Sequence, residues 1–384
     1  MNKKRINLLQ LIKNYIKINY FTKILYSKLQ CLNTKIKYMY LKVFYSNDNS
    51  QKVSFEKMKI GKNILYIGTD ELQDKSGFLQ ELELFCNLKV FTKYDNTYGQ
   101  YSEKKYKEGF GRNLNTQRLE DLLNELQHKN WIPDVILTQT WARLWNIDKL
   151  KELKLKYGFK FINIAMDDRH SFLMFSLFKK YNRGTSGLVS ILDATLVTSK
   201  ESIFWYHRHN VPAIYFPEAT SSKFFYKIED ISKEYDVGFV GAKYGLRGEY
   251  IQYLVDKGIN VKAYGNGWKA GRINNDDVNL FFNKCKIVIG FGYILSCTDF
   301  MALKLRDFDV PATGSLYLTT YNKDLKELFP EKKDCYFSSK EDLFNKVKYF
   351  LDNEELREQI AKDSYINTMN NHLYSQRFKL LFKD

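Results

Sequence analysis

The chain has 384 residues, 44% of them hydrophobic and 16% aromatic, with a net charge of +16. That length exceeds one ordinary core and suits two domains, and the composition excludes a disordered chain. No apolar run approaches the roughly 20 residues needed to cross a bilayer, and MNKKRINLLQLIKN lacks the compact apolar stretch and small-residue site of a signal peptide. Five scattered cysteines, Cys31, Cys86, Cys285, Cys297 and Cys335, form no CxxC pair. They point to a reduced, cytoplasmic protein with no disulfide framework and no metal site.

Ten of the cations lie within residues 1–45 (Lys3, Lys4, Arg5, Lys13, Lys17, Lys23, Lys28, Lys35, Lys37 and Lys42), and no acid does. The basic character therefore belongs mostly to an N-terminal segment, residues 1–55. Leu8, Leu9, Ile12, Ile16 and Tyr20 recur there at helical spacing. A basic amphipathic helix is the pattern of an anchor on an anionic membrane surface. The same pattern fits a helix packed on the body or on a partner chain. No nucleic-acid motif accompanies the charge, so nucleic acid is not expected as a partner.

From about residue 60, short apolar runs alternate with amphipathic stretches. Strands are expected over 63–69, 88–94, 134–140, 160–166, 194–199 and 213–217. Helices are expected over 77–85, 115–129, 148–157, 171–181 and 201–210, with a polar loop over 95–111. Residues 218–234, EATSSKFFYKIEDISKE, break the rhythm as a linker. The alternation restarts with strands over 235–242 and in NVKAYGNGW, helices over 248–258 and 276–286, and a strand over 287–292. The pattern implies α/β architecture, with two doubly wound parallel sheets facing a cleft. In such sheets ligands bind where loops leave the carboxyl ends of strands.

Three of those loops carry candidate chemistry. FVGAKYGLRGEY offers Gly241, Lys243 and Arg247, glycine for close approach and cations for a phosphate. It also reads as an ordinary glycine turn. AYGNGW places Gly265 and Gly267 between Tyr264 and Trp268, a base-stacking floor or a strand-end turn with Trp268 in the core. LKLRDFDVPATGSLYLTTYN reads as a helix over its first half, with Arg306, Asp307 and Asp309 on the last turn, a break at Pro311 and Gly314, and a strand. An ion pair of Arg306 with Asp307 or Asp309 is the plain structural reading. In the first half, IAMDDRHSF ends a strand on Asp167, Asp168 and His170, which suit a general base or, for Asp168, a helix cap. Gly68 and the tryptophans of WARLWN (141–146) also follow strands.

FVGAKYGLRGEYI, AYGNGW, FFNKCKIVIGF, KLRDFDVPATGSLYLTTY and DLKELF, in that order and followed by HLYSQRF (372–378), resemble the C-terminal domain of bacterial GT-B glycosyltransferases. The CgeB-like group, with its family 1 and family 4 type of domain, is the nearest variety. The resemblance covers about residues 235 to 378 and is weaker before them. It implies two Rossmann-like domains, an acceptor domain over 60–217 and a nucleotide-sugar donor domain over 235–365. A C-terminal helix over 366–384 would pack back on the first. It further implies that Asp309 holds the ribose hydroxyls and that Lys304 and Arg306 neutralise the diphosphate. Gly314 would turn the chain into the next strand, and Asp167, Asp168 or His170 would supply the base. Family 4 enzymes carry a glutamate eight positions earlier, where this chain has Met301. The implied activity is metal-independent transfer of a sugar, without a cofactor, from a nucleoside-diphosphate sugar to a glycan, lipid-linked or protein acceptor. The place is the cytoplasm or the inner face of the membrane. A non-catalytic nucleotide-sugar-binding or membrane-associated scaffold is the other reading.

Overall fold

The computed structural model describes residues 20–45, 62–102, 110–174, 182–294 and 297–382. The expected stripe from Leu8 to Ile16 lies outside them, as do residues 175–181 of one expected helix.

After a long helix, α1 (Tyr20–Tyr45), the chain builds a six-stranded sheet. Its strands are β1 (Asn63–Ile67), β2 (Asn87–Val90), β3 (Val135–Thr138), β4 (Lys160–Ala165), β5 (Ala194–Val197) and β6 (Ala213–Tyr215). Their order is β2-β1-β3-β4-β5-β6, and every pairing is parallel. Runs such as VILT in β3 and ATLV in β5 are buried at every position, as strands covered by helices on both faces must be.

A second, five-stranded sheet repeats the plan. It contains β7 (Tyr235–Val240), β8 (Val261–Tyr264), β9 (Cys285–Ile289), β12 (Leu316–Thr320) and β13 (Tyr336–Phe337), in the order β13-β12-β9-β7-β8, again parallel. In both sheets the first strand pairs with the second on one side and the third on the other. The crevice of a doubly wound sheet opens at that reversal. It lies after β1 and β3 in one unit, and after β7 and β9 in the other.

Several expected elements change. The helix expected over 77–85 is shorter, and a further short helix precedes it: α2 (Glu71–Asp74) and then α3 (Phe78–Leu82). Near residue 171 the helix is only Asp168–Ser171. The helix expected to reach Lys286 stops at Asn283, and β9 starts at Cys285, because Cys285, Ile287 and Val288 are needed in the core. An antiparallel hairpin, β10 (Tyr293–Ile294) with β11 (Cys297–Met301), stands where no strand was expected. Residues 218–234 begin as packed structure. Ala219, Thr220 and Ser221 are buried, and Thr220 bridges to Leu373. The final helix, Tyr374–Leu381, sends Tyr374 and Phe378 into the core of the first unit, against Phe78.

Candidate functional site

The wall of the second unit is built from the ends of β7 and β8. Gly241 follows β7 with φ 153°, and Gly265 follows β8 with φ 130°. A Cβ on Gly265 would stand 2.2 Å from the Gly241 carbonyl oxygen, so the two loops meet only because that side chain is missing. Trp268 donates its indole N–H to the same carbonyl (2.7 Å), edge-on to Phe239. The Lys243 ammonium stands 4.9 Å from the Trp268 ring, and a Cβ on Gly267 would press on Lys243. Trp268 therefore braces the loop rather than offering an open floor. Tyr264 packs edge-on against Phe281.

Two guanidinium groups converge on Gly241. A Cβ there would lie 3.1 Å from Arg306 Nη1 and 3.5 Å from Arg247 Nη1. Arg247 is 3% exposed, donates to the Ala242 carbonyl (3.0 Å) and the Tyr244 hydroxyl (2.7 Å), and stacks 3.8 Å from the Tyr244 ring. Burial, and then Arg306, pull its pKa down to about 10. Arg306 donates to the Val240 carbonyl (2.9 Å) over the Phe239 ring. Among the described residues neither arginine has a carboxylate partner, so the ion pair with Asp307 or Asp309 does not form.

Arg306 opens α10 (Arg306–Ala312), correcting its expected place on a last turn. Leu303 and Lys304 precede the helix, and Pro311 lies inside it. Asp307 turns inward, accepting from the Lys304 amide (2.8 Å) and the Tyr317 hydroxyl (2.7 Å). Acids in a first turn are favoured by the exposed N–H groups there, which is why this charge pattern belongs at the start of a helix. Asp309 is 7% exposed and accepts from the Thr220 hydroxyl (2.8 Å). Burial holds its carboxyl well above the usual range, against the pull of that hydrogen bond. Gly314, at φ 68°, reverses the chain into β12. His372 of HLYSQRF wedges between Phe308 and Phe329, and burial lowers its pKa to about 4. A neutral ring thus props α10 from behind.

These walls enclose a cavity of about 320 Å³ between the units. Gly241, Gly265, Asn266, Arg306 and Asp309 line it from the second unit, and Asp70, Gln73 and Ser76 from the first. Of the other expected residues, Lys243, Arg247, Gly267 and Trp268 support this wall, while Tyr264 and Gly314 lie off it. Lys304 reaches across the cleft to Asp167 (3.0 Å).

Asp167 stands at the end of β4 with φ 56°. Asp168 points into its own unit, accepting from Thr185 (2.8 Å) and Tyr206 (3.2 Å), and burial raises its pKa to about 8. It does not cap its helix, which begins at Asp168 itself. His170 packs edge-on to Phe300, and burial lowers its pKa to about 4. None of the three lines the cavity. Trp145 of WARLWN is fully buried and bonds Thr140 (2.7 Å), so it belongs to the core.

Sequence reading missed two carboxylates near the cleft. Asp74 accepts from the Tyr98 hydroxyl (2.6 Å), and burial raises its pKa to about 6. A Cβ on Gly68 would lie 2.1 Å from Asp74 Oδ2, so Gly68 makes room for this pair. Glu218, just after β6, is buried, and burial raises its pKa to about 8 against the pull of Lys304. Its position in YFPEA, directly after a strand, was the available signal. One group of metal-ligand type occurs among the described residues: Cys31, Cys297 and Asp299. The sulfurs are 3.2 Å apart and Lys35 already occupies Asp299 at 2.6 Å. Two thiolates on one tetrahedral zinc stand about 3.8 Å apart, so the group as placed is not spaced for zinc.

Two parallel-sheet units facing across a cleft constitute the GT-B fold. A family model described as glycosyl transferase-like matches residues 248–383. No curated protein shows a match to the sequence. Among solved structures, a sucrose-phosphate synthase from Thermosynechococcus elongatus is similar over 83% of this chain and 97% of its own, at 10% identity and a TM-score of 0.57. Anabaena HepE in complex with UDP and glucose is similar over 84% and 98%, at 9% identity and 0.54. The BGT of T4 phage in complex with its UDP-glucose substrate is similar over 84% and 99%, at 14% identity and 0.51. At these identities the likeness is one of fold.

Proposed function

We propose that the chain is a glycosyltransferase of the CgeB-like type, moving a sugar from a nucleoside-diphosphate sugar to a glycan, lipid-linked or protein acceptor. The observation that carries this reading is the meeting of Arg306 and Arg247 at Gly241, in the wall of a cavity that also holds Asp309. Two guanidiniums without carboxylate partners at a glycine turn are a place for a diphosphate. Asp309 can accept from a vicinal diol such as ribose, and Asn266 offers further polar contact. The match to a glycosyl transferase-like family over 248–383 includes Asn266, Arg306 and Asp309 and begins just after Gly241 and Arg247, and HepE and the T4 enzyme bind UDP and UDP-glucose in the same fold.

In the proposed reaction the acceptor oxygen attacks the anomeric carbon and the bond to the diphosphate breaks. The arginines, joined by Lys304 when it leaves Asp167, hold the growing negative charge on the leaving group without a metal ion. Asp167 takes the acceptor proton, being the candidate base whose carboxylate meets a cation of the opposite unit, Lys304. The place proposed for this chemistry is the cytoplasmic face of a membrane.

The test is a thermal shift with UDP, GDP, TDP and CMP on the wild type, Arg306→Ala and Asp309→Ala. A ligand at about 100 times its Kd stabilises by roughly 2.7 kcal/mol. One nucleotide should raise the melting temperature, and both substitutions should abolish the rise. No shift with any of the four at millimolar concentration would remove the donor site. Slow hydrolysis of the matching nucleotide sugar separates a transferase from a scaffold that only binds.

A further inference from the structure

Helix α1 has two apolar faces. Cys31, Thr34, Tyr38 and Leu41 face the body. Tyr38 donates to Glu201 of the first unit (2.8 Å) and packs on Phe300 of the β10–β11 hairpin (4.3 Å), and Leu41 is 1% exposed. Lys35 pairs with Asp299 of the same hairpin. The helix is thereby seated on both units, across their seam. On its other side Leu29, Leu32, Ile36, Met39 and Val43 succeed one another at alternating steps of three and four residues, and each is between 52% and 65% exposed. At 3.6 residues per turn these five fall on one stripe opposite the seated face.

We propose that this stripe is a docking face for an anionic lipid bilayer. Charge selects the occupant. Residues 20–45 carry Lys23, Lys28, Lys35, Lys37 and Lys42 and no acid. Lys28 and Lys42 run along one border of the stripe, where Lys35 is held by Asp299, and the half-buried Lys37 lies beyond the other. A second copy of the helix would bring lysine against lysine, since residues 20–45 hold no acid of their own, whereas anionic headgroups complement the lysines as the apolar side chains enter the acyl boundary. No helix among the described residues is long and apolar enough to cross a membrane, so the contact is one of lying in the surface. Docking would hold the rim of the cleft against the bilayer, because the helix spans the seam between the units. The inference stands independently of the donor reading.

The experiment is sedimentation of the full chain, without nucleotide, with vesicles of equal parts phosphatidylglycerol and phosphatidylcholine and with vesicles of phosphatidylcholine alone. The comparison protein is the triple variant Leu32→Glu, Ile36→Glu, Met39→Glu, with its melting temperature and mass in solution measured alongside. All three positions are exposed, so the fold should keep its melting temperature. The wild type should bind the mixed vesicles, lose binding with added salt and ignore the neutral ones, and the variant should bind at least about a hundredfold more weakly. Equal binding by wild type and variant, equal binding to both vesicles, or no binding would overturn the proposal. So would a wild-type dimer that the variant reduces to a monomer.

Discussion

The two units share a strand order but furnish their crevices with opposite charge. After β7 and β8 stand Gly241 and Gly265, whose backbones touch, with Arg247 and Arg306 behind and beside them. The corresponding ends of the first unit carry Asp70 and Asp74 after β1, Asp167 after β4 and Glu218 after β6, with Lys304 of the other unit reaching across to Asp167. One wall offers guanidinium donors to an anion beside the acceptor Asp309, and the other is lined by acceptors for hydroxyl groups. A doubled scaffold thus gives a polarised cleft, and the polarity lies in loops that the sheets merely hold in place.

The largest expected effect tests the glycine wall. Gly265→Ala sets a Cβ against the Gly241 carbonyl at a positive φ, and should cost about 3 kcal/mol in urea unfolding while removing the nucleotide-induced shift. Gly158→Ala also stands at a positive φ, 72°, but in the left-handed region and with nothing within 4 Å, and should cost only about 1 kcal/mol. Equal losses would mean that the two loops need no contact.

Asp168 tests whether the acidic side is all functional. Unfolded, it ionises near 3.8, and folded only near 8, so the folded state holds an extra proton between those values. Its contribution to stability is therefore full below about pH 4 and fades as pH rises to about 8. Asp168→Asn should flatten that slope and gain about 2 kcal/mol or more at pH 8, read from denaturation at several pH values. A variant that unfolds as readily at pH 8 as the wild type would contradict the burial of this group.

Arg247→Met probes the basic side. An apolar chain of similar length fits among Phe239, Tyr244, Phe291 and Tyr293 and removes a buried charge without a carboxylate partner. The melting temperature should hold or rise while nucleotide binding weakens at least about tenfold, about 1.4 kcal/mol, by calorimetry. Unchanged affinity would make Arg247 a packing residue.

The smallest stability effect is expected at the bridge between the walls. Asp167→Asn breaks a half-exposed pair with Lys304, so unfolding should change by less than about 1 kcal/mol. Freed, Lys304 should tighten nucleotide binding a few-fold, while turnover falls at least about a hundredfold if Asp167 is the base. Normal turnover would pass that role to Asp74 or Glu218.

Much of the plan was legible in the sequence because parallel strands read as short apolar runs and their helices as amphipathic stripes. KFINIA and LYLTT needed nothing else. Gly241 and Gly265 could be singled out because each follows a strand end, and Arg306 and Asp309 because the motif around them resembles that of the glycosyltransferases. Pro311 misled: a proline suggests a helix break, yet here it sits within the seven residues of α10, and the acids before it mark a beginning. The hairpin at 293–301 was illegible because CTDFM is short and pairs only with its own neighbour. Asp168 and Asp167 are adjacent in sequence and indistinguishable there, but the turn at Asp167 sends one to the cleft and buries the other.

By itself, then, the sequence determined the alternation of strands and helices, the two-unit plan and the basic segment at its start. Those follow from local periodicity and composition, which act over a few residues. Only the tertiary structure decided which carboxylates face the cleft and which arginines lack an acid. It also placed Trp268 against a carbonyl and left one stripe of α1 uncovered. Each of those depends on residues brought together from distant parts of the chain, and on how much water the packing around them excludes.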